Sequence, residues 1–144
     1  FATAVDFGTI FHTGYKSVAF GMTIRNFSSE VTYEDEPFAL PLTFTMGISM
    51  DVLDFFSGIG SPHSLYTTID ATHPRSYPEY INLGFEYSMN NMIYARYGYM
   101  QNRDERSSNF GVGVSFANIK VDYSYTPFGK LFDNVQRITL RFAI

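Results

Sequence analysis

Apolar and polar residues alternate along this chain with a period of two, in about nine segments of roughly 8 to 13 residues each. Pro41 to Asp51 shows the pattern most cleanly. Leu42, Phe44, Met46, Ile48 and Met50 fall on one face, and Thr43, Thr45, Gly47, Ser49 and Asp51 on the other. The ionisable residues inside such segments keep to the polar face: Asp6, Arg25, Asp51, Asp70, Glu86, Arg96, Asp122, Arg137 and Arg141. An alternating segment with no charge on its apolar face sets that face against something water does not enter. That is either a shared protein core or a lipid bilayer.

The segments predict nine antiparallel strands. They run about Phe1 to His12, Lys16 to Phe27, Pro41 to Phe55, Leu65 to Thr72, Glu79 to Asn90, Met92 to Gln101, Phe110 to Asn118, Lys120 to Thr126 and Val135 to Ile144. His12-Thr13-Gly14-Tyr15 and Asn90-Asn91 read as tight turns. Ser28 to Leu40, rich in acid, reads as a long loop. His73 to Pro78 carries two prolines and is not expected in a central strand, because proline gives the ladder no donor. Connections after strands one, five and seven are tight, that after three is intermediate, and the rest are longer. Bacterial outer-membrane barrels show this asymmetry, with short periplasmic turns and long external loops.

Composition changes the balance between core and bilayer. Aromatics make up 18% of the chain and charged residues 17%, against about 25% charged in ordinary soluble domains. The polar faces carry Gly, Ala, Ser and Thr with sparse charges of both signs, which suits a crowded barrel interior better than a water-facing sheet. The expected class is all-β: an antiparallel up-and-down transmembrane β-barrel with lipid on its outside. The alternative is a soluble β-sandwich serving as a binding module. No apolar run is long enough for a transmembrane helix. The net charge of −4 and the lack of a basic patch speak against nucleic acid as a partner. Cysteine is absent, which removes disulfides and thiolate chemistry.

The 144 residues amount to a single domain. Strand phase starts strand one on the long-loop side and ends strand nine on the short-turn side. Nine strands so arranged do not make an even-numbered barrel. The expectation is a domain over residues 1–144 that is incomplete at its N-terminus, with further strands before Phe1.

Several runs carry a resemblance. Asp6-Phe7-Gly8-Thr9, Phe20-Gly21-Met22, Arg25-Asn26-Phe27 and Leu40-Pro41-Leu42-Thr43-Phe44 are similar to the PorV/PorQ family of outer-membrane barrels. So are Ile69-Asp70-Ala71, Gly84-Phe85-Glu86-Tyr87, Arg96-Tyr97-Gly98-Tyr99, Gly111-Val112-Gly113, Val121-Asp122-Tyr123-Ser124-Tyr125, Phe128-Gly129 and Gln136-Arg137-Ile138. The resemblance spans essentially the whole chain. It implies the C-terminal portion of a FadL-like barrel of about fourteen strands, in the bacterial outer membrane. It also implies no enzymatic activity and no cofactor. The implied roles are protein secretion of type IX or transport of hydrophobic molecules. Outer-membrane lipid would be the partner, with secretion-system components or exported proteins. The other role open to such a chain is a structural barrel component of a larger cell-surface assembly.

No catalytic constellation stands out. His12, His63 and His73 read as turn or loop residues without metal-ligand spacing. A triad of His63, Ser64 and Asp70 can be written on paper, but geometry decides triads. Glu34-Asp35-Glu36 offers oxygens to a divalent cation but lacks the spacing and glycine of a calcium loop. Asn26-Phe27-Ser28 matches a glycosylation sequon and reads as a chance match. The better candidates are the nine charges of the polar faces. They read as a lumen-facing network in which opposite charges on neighbouring strands must pair. Phe27, Phe55, Phe56, Tyr97, Tyr99 and Tyr125 are candidates for an interfacial aromatic girdle.

Overall fold

The structure, a computed structural model, describes residues 3–28, 31–33, 36–38, 41–56, 62–101, 108–127 and 134–142. Alternation at period two produces strands, as expected. They are β1 (Val5–His12), β2 (Ala19–Phe27), β3 (Val31–Tyr33), β4 (Glu36–Phe38), β5 (Thr43–Asp51), β6 (His63–Pro74), β7 (Tyr80–Met89), β8 (Ile93–Met100), β9 (Ser108–Phe116), β10 (Ile119–Thr126) and β11 (Val135–Phe142). Nine of them form one sheet in the order β1-β2-β5-β6-β7-β8-β9-β10-β11. Each pairs antiparallel with its neighbour in this up-and-down meander. β3 and β4 pair separately as a small hairpin. The sheet is not closed: β1 and β11 are both edges.

The register gives every strand residue a face. Phe20, Met22 and Ile24 lie across from Ile48, Met46 and Phe44, and those from Ile69, Ala71 and His73. Phe85, Tyr97 and Phe110 continue that apolar face as a ladder of rings, with centroids 6.4 and 5.2 Å apart. This face is the exposed one. Met46 keeps 50% of its surface, Val112 57% and Ile138 72%. Among the described residues burial is confined to the other face, where Ala19, Thr72 and Ser88 are enclosed and Thr45 and Thr72 share a hydroxyl hydrogen bond of 3.2 Å. The fold is therefore inverted relative to a soluble sheet, in which the apolar side is the covered one. No second layer lies over the apolar face among the described residues.

Several boundaries differ from the sequence expectation, each for a local reason. The first turn is longer than His12-Thr13-Gly14-Tyr15, and β2 begins only at Ala19. Thr13 closes this loop. Its hydroxyl accepts from the Tyr15 N–H at 3.1 Å and donates to the Val18 carbonyl at 2.9 Å. Gly14 takes the expected positive φ of 74°, and Lys16 also adopts one, at 50°. The strand expected over Pro41 to Phe55 stops at Asp51, whose carboxylate accepts from the Leu53 N–H at 3.0 Å and caps a 3₁₀ turn, Val52–Phe55. The acidic loop contains the β3–β4 hairpin, while Glu34 and Asp35 lie outside the described residues. β6 runs through His73 to Pro74. Proline is tolerated because it is the last strand residue, and the Arg75 N–H carries the ladder on to the Leu42 carbonyl at 2.8 Å.

Two tight turns meet the demand for positive φ differently. Asn90 and Asn91 both adopt 54°, as the primed hairpin turns require and asparagine tolerates. The β9–β10 turn places Ala117 at 50°, where a Cβ costs about 1–2 kcal/mol. Ala117→Gly is therefore expected to stabilise the fold by roughly 1 kcal/mol, measured as a shift of the urea midpoint of unfolding.

Candidate functional site: the polar face and its charge network

Register places eight of the nine predicted charges on one side of the sheet, the side that holds the buried residues; the ninth, Asp6, falls where the β1–β2 register shifts between Val5 and Phe7. Four of them form a connected set. Arg96 in β8 stands directly opposite Glu86 in β7 and donates its Nε–H to the Glu86 carboxylate. Its Nη1 donates to Asp122 Oδ1 at 2.6 Å. Asp122 belongs to β10, so the guanidinium reaches across β9 to get there. The second oxygen of Asp122 lies 3.4 Å from Arg141 Nη2 on β11. Asp122 is the most enclosed member, 13% exposed, against 39% for Glu86.

The reach across β9 depends on glycine. The polar-face positions of β9 beside this network are Gly111, opposite Arg96, and Gly113, opposite Asp122. A Cβ at Gly113 would come within 2.5 Å of Asp122 Oδ1 and 3.1 Å of Arg96 Nη1. Gly113→Ala is expected to push the pair apart and destabilise the fold by about 1–3 kcal/mol, readable in the same urea titration. The device recurs along the face: Asp70 lies over Gly47, Thr68 over Gly84 and Asn109 over Gly98. At these positions the polar side chain lies over a glycine of the neighbouring strand.

The remaining predicted residues do not join the network. Asp6 accepts from the Asn26 N–H at 2.8 Å and holds the irregularity where the β1–β2 register shifts. Asp51 caps the 3₁₀ turn and also accepts from the Leu65 N–H at 2.9 Å. Arg25 and Arg137 make no hydrogen bond or ion pair among the described residues. These five, Asp70 included, serve local geometry or stand apart on the same face.

Sequence reasoning missed Lys120 and Tyr94. Lys120 Nζ sits 4.0 Å from the centre of the Tyr94 ring, and the Arg96 guanidinium lies 5.1 Å from that same centre. The signal was present in parity, because Lys120 is two residues from Asp122 and must share its face. It was overlooked because Lys120 begins its segment. Tyr66, whose hydroxyl donates to Ser49 at 2.8 Å, was likewise missed.

The histidines are not loop residues: His12 ends β1, and His63 and His73 lie within β6. His63 Nδ1 is 2.7 Å from the Tyr87 hydroxyl, and His73 Nδ1 is 2.9 Å from Glu79. Alternation along β6 puts His63 on the face opposite to Ser64 and Asp70, so the paper triad cannot assemble. No group of three or more metal-ligating side chains occurs among the described residues. No helix among them is long and apolar enough to cross a membrane. Of the girdle candidates, Phe27, Phe55, Phe56, Tyr97 and Tyr99 are exposed. Compared with known proteins, the chain matches no family model, no curated protein and no solved structure.

Proposed function

We propose that this chain forms part of the wall of an outer-membrane β-barrel of the PorV/PorQ type. In this reading it is non-enzymatic and works in type IX protein secretion or in transport of hydrophobic molecules. One observation carries the wall reading: the apolar side of the sheet is exposed and the polar side encloses an ion-pair network. Bilayer contact is what makes such an inverted sheet stable. Strand length agrees. The nine strands of the sheet run from eight residues in β1 to twelve in β6, around the 9–11 that a tilted strand needs to cross a membrane. The secretion and transport roles rest on the sequence motifs alone.

A wall with two open edges is completed by further strands, since lipid cannot satisfy unpaired backbone groups. Nine alternating strands leave β1 and β11 running in the same direction. An all-antiparallel closure therefore takes an odd number of additional strands, from this polypeptide or from another. The open edges also favour a second reading, a barrel component within a larger surface assembly.

Fractionation of native cells tests the proposal. The protein is expected in the outer-membrane fraction, resistant to alkaline carbonate, with a gel mobility that changes on heating. Co-purification with type IX components assigns it to secretion, and its absence from them leaves transport or assembly. Recovery in the soluble fraction without detergent contradicts the wall reading.

A further inference from the structure

Charge on the polar face becomes lopsided toward β11. Lys120 and Arg141 are direct cross-strand partners on that face, and like charges so placed repel. The nearby acids relieve them only in part. Glu86 is taken by Arg96, and Asp122 is shared between Arg96 at 2.6 Å and Arg141 at 3.4 Å. Arg141 keeps 66% of its side chain exposed, so most of its donors face open space. Lys120 has no carboxylate or carbonyl partner among the described residues; only the Tyr94 ring lies under its ammonium.

Lys16 provides an internal comparison. Its ammonium also lies over a ring, that of Phe55 at 4.5 Å, but it donates to the Asp54 carbonyl at 2.7 Å. Lys120 has the ring without the acceptor. Arg137, four residues before Arg141 on the same strand and face, adds a third cation without an acid of its own.

We propose that Lys120 and Arg141 form an oxyanion-binding site on the inner wall, close to the short-turn rim, with Tyr94 holding the ammonium in place. The ligand is a carboxylate or phosphate group of a solute in the barrel interior. One such group can accept from both side chains, as charge-assisted hydrogen bonds favour. The site rests on the wall reading, because that reading makes this face the interior.

The test uses the full protein in detergent micelles, with its lysines converted to ¹³C-dimethyl-lysine, which retains their charge. Inorganic phosphate and butyrate are titrated separately. The Lys120 methyl signal, assigned by its loss in Lys120→Arg, is expected to move saturably with at least one of them, while the Lys16 signal stays still. The responding anion identifies the site as one for phosphate or for carboxylate. Arg141→Gln is expected to weaken the response about tenfold, the worth of one charge-assisted hydrogen bond. Its heat-dependent gel mobility reports whether the variant is folded. A folded protein whose Lys120 signal moves no more than that of Lys16, or ignores Arg141→Gln, overturns the site. That includes the case in which a completing strand brings its own carboxylate. Failure of the unmodified protein to enter membranes is a separate outcome and contradicts the wall reading instead.

Discussion

Met46→Arg and Val112→Arg are expected to cripple membrane assembly while changing nothing inside the protein. Both positions are already half open, at 50% and 57% exposure, so neither substitution creates a cavity or breaks a hydrogen bond. On a water-facing surface such changes are nearly silent, within about 0.5 kcal/mol. At the bilayer midplane of a barrel an arginine costs about 2–4 kcal/mol. Met46 lies mid-strand in β5 and Val112 mid-strand in β9, far apart in the sheet, so a shared defect points to a property of the whole face. The measurement is the fraction of each variant that gains the heat-sensitive folded mobility in lipid vesicles. Wild-type yields for both would mean that the exposed face meets water.

The second large effect is expected from Arg96→Met. The substitution keeps most of the side chain's bulk and removes the one cation that touches both Glu86 and Asp122. Breaking a buried pair from one side costs about 3–5 kcal/mol. Glu86 is more than a third exposed, so solvent screens part of that loss, and a cost of about 2–3 kcal/mol is expected. Double-mutant cycles with Glu86→Gln and Asp122→Asn should divide it unequally, with the stronger coupling to Asp122, the more enclosed acid. Equal, negligible couplings would mean that water reaches all three groups freely.

Much of this arrangement was legible in the sequence because a strand's side-chain period is fixed by its backbone. Alternation in Pro41 to Asp51 and Phe110 to Phe116 assigned the faces correctly, and parity alone brought Glu86, Arg96, Asp122 and Arg141 to one side. Contacts that depend on register were less visible. Nothing in the composition of β9 says that Gly111 and Gly113 clear a path for Arg96, because that needs the alignment of three strands. The role of Asp51 as a cap was hidden by its position in a run that reads as unbroken strand. Lys16 and Asn26, both with positive φ, are residue types that do not announce a turn or irregularity as glycine does. The β3–β4 hairpin was obscured by its acidic surroundings, which read as solvated loop.

The absence of cysteine allows the central claim to be tested directly. Single cysteines placed in turn from Phe20 to Ile24 of β2, where a Cβ at Gly21 meets nothing within 4 Å, can carry an environment-sensitive fluorophore in the protein reconstituted into vesicles. A period of two is predicted. Probes at 20, 22 and 24 are quenched by brominated lipid acyl chains, and probes at 21 and 23 are not. Equal indifference to brominated lipid at all of these positions would show that the apolar face does not meet a bilayer, and would contradict the account.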